Sequence, residues 1–312
     1  MTDAAPLRGG EIGPSDPVPL PGSLLARYGR FSCYNSPYPA HDYGHAVDLY
    51  PDDGTAPAPV PGEVLATRTV GCPDRPYAVD HDHLIVVDVA DDWAGGRGAA
   101  LVARILHVDP AVSPGDVVRA GDSLGETVRS GFFGRWVDDH LHLGFRPSEA
   151  NPYRASGSLP VEPAVPITGA AWDGTGEVVE TGQTFVRLDS PAHPDPGSWA
   201  TIAADDGTPL DGGLAHYSGG GAYATDDAAT AGSLSLLGTE VGTARHRTAG
   251  GVAVDWADVA IDVNGERATG LSLFASRGEF GAKIVFHEGH EFAVGDAVRV
   301  AIEPAPASIR LG

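Results

Sequence analysis

The sequence predicts an all-β protein, and three observations predict it. Short runs rich in Val, Ile and Leu recur along the chain, each closed by Gly, Pro or Asp. No segment of useful length repeats its apolar residues at the 3.6-residue helical period. The 42 glycines and 26 prolines follow no three-residue period, which suits turn-rich β structure and excludes collagen. A chain of 312 residues exceeds the usual single-domain size, so two units are expected. In order, residues 1–30 are rich in Pro, Gly and small polar residues and read as an extended N-terminal arm. The first unit, 31–158, holds β-type runs at 63–67, 83–89, 101–108 and 116–119. Residues 159–166 (LPVEPAVP) read as a Pro-rich linker. The second unit, 167–312, is β-rich, with runs at 177–188, 251–263, 271–275, 283–286 and 296–302. Its Gly/Ala/Asp-rich stretch 205–231 reads as a long loop.

Composition narrows the class further. Hydrophobic residues are 42% and charged residues 20%, enough apolar material for a packed core and too much for disorder. Asp and Glu number 42 against 20 Lys and Arg, a formal charge of −22. Such a surface repels phosphate, so nucleic acid and anionic membranes are not expected partners. The single lysine is Lys283, and Asp outnumbers Glu about two to one. This is the surface of a protein suited to molar salt, where the Debye length shrinks to about 3 Å and self-repulsion is screened. An Arg-for-Lys codon bias in a GC-rich genome gives the same pattern. Cys33 and Cys72 lack C-x-x-C spacing, leaving one bridge or two free thiols open. The first residues show neither a basic n-region nor an apolar h-region, and no window reaches 18 apolar residues. A cytoplasmic location is the expectation.

The clustered histidines carry the chemistry. One group is His41-Asp42-Tyr43-Gly44-His45-Ala46-Val47-Asp48; another is His107 at the end of ARILHV; a third is Asp139-His140-Leu141-His142. Catalytic zinc takes three His or carboxylate ligands and keeps a fourth position open. Strand residues two apart face the same way, so His140 and His142 point into one cleft, suiting one ligand and one acid/base neighbour. His81-Asp82-His83 has the same spacing but no partner motif. His287-Glu288-Gly289-His290 falls one position short of the zincin His-Glu-x-x-His and reads as a turn.

The order of the neighbouring blocks raises the first cluster above chance. After Asp48 comes D-G-T-A-P-A-P-V-P-G-E-V from 53, and after His107 comes V-S-P-G-D-V-V-R-A-G-D-S-L-G from 112, then His-Leu-His at 140–142. Over residues 40–147 this resembles the lysostaphin-type zinc metallopeptidases, the glycyl-glycine and murein endopeptidases. The resemblance implies a lysostaphin-type antiparallel β-sheet metallopeptidase domain followed by the second β-rich domain. It departs in one place: the family's first His stands four before Asp, which here is Gly44. The string H-x-x-G-x-A-x-D also resembles the first motif of the related D-alanyl-D-alanine metallopeptidases, which points to His41, with His45 the runner-up.

The resemblance thus implies one zinc per chain, held by His41, Asp48 and His142, with His107 and His140 as the unliganded catalytic pair. Asp138 and Asp139 are candidates to orient an imidazole. The implied activity is hydrolysis of a peptide or protein substrate, and the acidic surface favours neutral or cationic ones. The alternative is a non-catalytic member that binds peptides or proteins. A biotinyl or lipoyl carrier is disfavoured because Lys283 lies outside the motif block. No G-x-S-x-G, phosphate loop or dinucleotide motif is present. Trp172, Trp199 and Trp256 of the second unit fit core packing or a targeting module equally well. The oligomeric state is not legible.

Overall fold

The computed structural model describes residues 16–223 and 232–311. It is almost entirely β. Two large sheets dominate the described residues, and the chain runs between them. The first orders its strands as Ile167–Ala170, Trp199–Ile202, Ala275–Ser276, Arg30–Ser32, Val47–Tyr50, Leu141–Pro147, Leu101–Leu106, His81–Val89, Gly62–Gly71 and Val117–Val118. All its pairings are antiparallel except that of Ile167–Ala170 with Trp199–Ile202. The second sheet is built from residues 175–304, and its core gathers Val178, Leu214, Val254, Leu271 and Ile284.

Burial on both faces explains the central strands. Ile85, Val87, Ala103, Ile105, Leu143 and Phe145 point into the first core. Ala66, Leu84, Val86 and Val102 alternate onto the other face, where they form a smaller cluster. A strand apolar on both sides reads as the continuous run LIVV, as in His81–Val89.

The two units share the first sheet. Phe31 pairs with Ala275, and its ring meets Trp199 edge-on at 4.7 Å. Trp199 belongs to the first core, while Trp172 and Trp256 pack in the second.

Three expectations need correction. The arm is folded from residue 18: Val18–Pro21 pairs in parallel with Val161–Ala164, and Leu20, Leu24, Leu25 and Tyr28 are fully buried. Its prolines and glycines punctuate an apolar segment instead of solvating it. The stretch 159–166 supplies that partner strand and buries Leu159 and Val161, so it is core as well as connection. The stretch 205–231 is not one long loop, because Leu210–Leu214 and Gly219–Ala222 are interior strands of the second sheet; 224–231 lie outside the described residues. Glycine is required there by close packing. A Cβ on Gly220 would stand 2.5 Å from the Trp256 ring, and one on Gly221 would stand 2.4 Å from that of Tyr34. Both cysteines are free thiols. No helix among the described residues is long and apolar enough to cross a membrane.

Candidate metal centre

His142 and Asp48 face each other directly across the antiparallel pair of Leu141–Pro147 and Val47–Tyr50. His142 Nδ1 lies 2.9 Å from Asp48 Oδ1. His41 joins them from a single helical turn, Pro39–Asp42. Its Nδ1–H donates to Cys33 O at 2.9 Å, so in the neutral imidazole Nε2 carries the lone pair. That Nε2 sits 3.2 Å from His142 Nδ1 and 3.3 Å from Asp48 Oδ1. The turn closes at Gly44 in the left-handed conformation, φ +64°, its N–H bonded to His41 O. The odd offset from Asp48 therefore does not matter, because residues 41–46 are not extended strand. His45, half-buried beside Tyr43, stands outside the donor triangle.

The donor set fits zinc. His41, Asp48 and His142 each bring one ligand atom, all within 4.8 Å of one another. Ligand atoms around tetrahedral zinc, at N and O distances near 2.0–2.1 Å, stand about 3.3 Å apart. The edges here are 2.9, 3.2 and 3.3 Å. Burial disfavours charge on Asp48, yet the surrounding His41, His140 and His142 hold its carboxyl well below the usual range. Burial lowers His142 to about 4, so its imidazole is neutral at physiological pH. For His41, burial is outweighed by the Asp48 carboxylate, and the pKa is raised.

Two more histidines stand beside the triangle. His140 is buried, with Nδ1–H donated to Asp138 O at 2.9 Å and Nε2 at 3.7 Å from Asp48 Oδ2. Burial first, then the neighbouring His107, depress its pKa against the pull of Asp48. His107 sits where the chain leaves the large sheet, in the left-handed region at φ +68°. Its ring centroid is 5.1 Å from His140 and 6.0 Å from His142.

What fixes His107 is a residue sequence reasoning passed over. Asp82, fully buried, accepts His107 Nδ1–H at 2.6 Å and Ser130 Oγ–H at 2.7 Å on Oδ2. Its Oδ1 accepts the main-chain N–H of His83 at 2.6 Å and of His107 at 3.1 Å. The His-x-His spacing drew attention to His81 and His83, although the residue between them faces the site. A signal existed, since Asp82 continues the alternation of Leu84 and Val86 on the site face.

Asp138 and Asp139 do not orient imidazoles through their carboxylates. Asp138 offers only its carbonyl to His140, while its carboxylate takes Arg30 at 2.7 Å and Lys283 at 2.9 Å. Asp139 pairs with Arg129 at 2.9 Å. The second unit thus reaches the centre through Lys283, and again through Asp211. That carboxylate accepts from Ser32 Oγ, the Cys33 and Tyr34 amides and Tyr223 Oη, fixing the loop whose Cys33 carbonyl holds His41. Burial raises the Asp211 carboxyl to about 6. The other histidine pairs stay apart: His83 approaches Asp109 at 3.8 Å, and His290 bonds the Gly182 and Phe185 carbonyls.

The centre opens into a cleft of about 480 Å³ walled by Tyr38, Tyr43, Phe132, Phe133 and Tyr217.

Two family profiles match the chain. The Domain of unknown function (DUF8155) N-terminal domain matches residues 19–163, and the DUF8155 C-terminal domain matches 168–303. No curated protein sequence matches. Among solved structures, the chain is similar to a zinc-containing peptidase from Vibrio cholerae at 21% identity and a TM-score of 0.22. The match covers 42% of this chain and 36% of that one, so this chain spans about a third of that protein's length.

Proposed function

We propose that this chain, which carries the N-terminal and C-terminal DUF8155 domains in order, is a zinc-dependent metallo-endopeptidase. His41, Asp48 and His142 hold one zinc ion, and His107 and His140 handle protons. The observation that carries this reading is the donor triangle, whose 2.9–3.3 Å edges match a zinc coordination face, with two pinned imidazoles beside it. Zinc, when bound, supplies a Lewis acid for a peptide carbonyl and lowers the pKa of a water to about 7.

The chain's own residues do the rest. His107 and His140 each commit Nδ1–H to a fixed acceptor, so each turns its Nε2 lone pair to the cleft. His107 takes the proton of the attacking water, and the Asp82 carboxylate behind it stabilises the imidazolium as it forms. The same proton then goes to the leaving amine nitrogen. His140 lies over the Asp48 side of the centre, where its Nε2 helps orient the water. Phe132, Phe133 and Tyr217 give the cleft an apolar wall, which strengthens these interactions.

The test is cleavage of unstructured peptides, glycine-rich ones included, followed by mass spectrometry. Products that disappear with a zinc chelator and return with zinc support the reading. A zinc-loaded chain that cleaves no peptide in such a panel overturns it.

A further inference from the structure

The cleft contains a cation that neither the histidine cluster nor the proton chemistry uses. Arg104, on Leu101–Leu106, faces Gly144 in the register, on the sheet face that carries His142. Gly144 lies two residues from His142, about 7 Å along the strand. Arg104 lines the same cleft as the histidines and is only 6% exposed.

Three Lys or Arg side chains are buried among the described residues, and they differ in how they are satisfied. Lys283 has the Asp138 carboxylate at 2.9 Å. Arg146 donates through both terminal nitrogens to the carbonyls of Asn151, Arg154 and Ser156. Arg104 donates through Nε alone, to Pro152 O at 2.6 Å. Among the described residues neither of its Nη groups meets a protein acceptor, and neither is sealed from the cleft. Burial, helped by Arg146, lowers its pKa to about 10, so it remains a cation at neutral pH.

A guanidinium held in a low-dielectric cleft without a counter-charge is costly. Among the described residues no carboxylate pairs with Arg104, although the chain is strongly acidic. Two parallel N–H groups presented by a fixed fork match a carboxylate bidentately. We propose that Arg104 anchors a carboxylate of the substrate, so that the cleft selects peptides with an anionic group one or two residues from the bond cut. The position of that bond rests on the peptidase reading, while the anchor itself does not require turnover. The net acidic surface points to neutral or cationic ligands; the cleft reverses that preference locally.

The experiment is calorimetric titration of the full chain, stripped of metal by chelator so that zinc neither cleaves the ligand nor competes for it. Acetyl-Ala-Ala-Ala as free acid is compared with its C-terminal amide, and acetyl-Ala-Asp-Ala-amide with its Asn counterpart. The acid should bind about 10- to 100-fold tighter than its neutral partner in one pair, which identifies a terminal or a side-chain carboxylate. Arg104→Gln should abolish that preference, and Arg104→Lys should retain part of it. Equal binding within both pairs, no binding at all, or a preference that survives Arg104→Gln overturns the anchor. If Arg104→Gln does not fold, wild type and Arg104→Lys decide alone. Peptide hydrolysis by the zinc-loaded chain is scored separately. Cleavage without acid preference removes the anchor and leaves the peptidase; acid preference without cleavage does the reverse.

Discussion

Asp82→Asn separates the proton-handling residues from the metal. The carboxylate takes two hydrogen bonds on each oxygen: His107 Nδ1–H and Ser130 Oγ–H on one, the His83 and His107 amides on the other. Asparagine has the same shape and keeps Oδ1 for both amides, but sets an NH₂ group against His107 Nδ1. The imidazole must then accept at Nδ1 and carry its proton on Nε2, so the cleft loses its basic lone pair. Charge-assisted bonds contribute about 1.5–3 kcal/mol each and neutral ones about 0.5–1.5. Weakening the two bonds on Oδ2 therefore predicts a loss of about 2–3 kcal/mol in stability. A wrong tautomer behind the base predicts a kcat/KM loss of about 10²–10⁴. The zinc content should not change, because His107 lies outside the donor triangle. Zinc analysis, thermal melting and peptide cleavage on one preparation check all three. A folded, zinc-replete variant within about threefold of wild-type activity would refute the role of the Asp82–His107 pair. The acid limb gives a second readout. Burial raises the Asp82 carboxyl, but the hydrogen bond and charge of His107, with Ser130, bring it below its usual value. Its stabilisation is therefore complete above about pH 4, the unfolded value, and is lost as pH falls through the lower folded value. Wild type and variant should converge in stability below that window.

His142→Ala should abolish zinc binding, whereas His140→Ala should keep zinc and lose activity; loss of metal from both, or from neither, contradicts this division. Lys283→Met removes one of two cations from Asp138 and leaves Arg30 in place. Stability should fall by about 1–3 kcal/mol, with reduced activity because the Asp138 segment whose carbonyl holds His140 is fixed less firmly; an unchanged melting temperature would contradict it. Thermal stability should rise steeply from dilute buffer to about molar KCl as acidic repulsion is screened, and a salt-independent melt would remove the high-salt reading.

The legible parts of the fold and site are those where residue type alone determines placement. The run at 83–89 fixes a central strand because β-branched residues on both faces leave no helical alternative. His140 and His142 fall on one side because the period of a strand is two. Period reasoning had no purchase on His41, since the chain coils at Pro39–Asp42 before the strand begins. Proline and glycine give residues 1–30 the look of an extended arm and mask the buried side chains of Val18, Leu20, Leu24 and Leu25. The Gly219–Gly221 run looked like loop because only the fold brings Trp256 and Tyr34 over it. Asp211 and Lys283 lie more than 140 residues from the loops they hold, and no local pattern marks such long-range partners.

The most direct test of the central claim is zinc per chain, measured by elemental analysis of protein purified in high KCl without chelator or affinity nickel. One zinc per chain, lost in His41→Ala and kept in His45→Ala, is the predicted result. Wild-type protein without stoichiometric zinc, or zinc that survives His41→Ala, would contradict it.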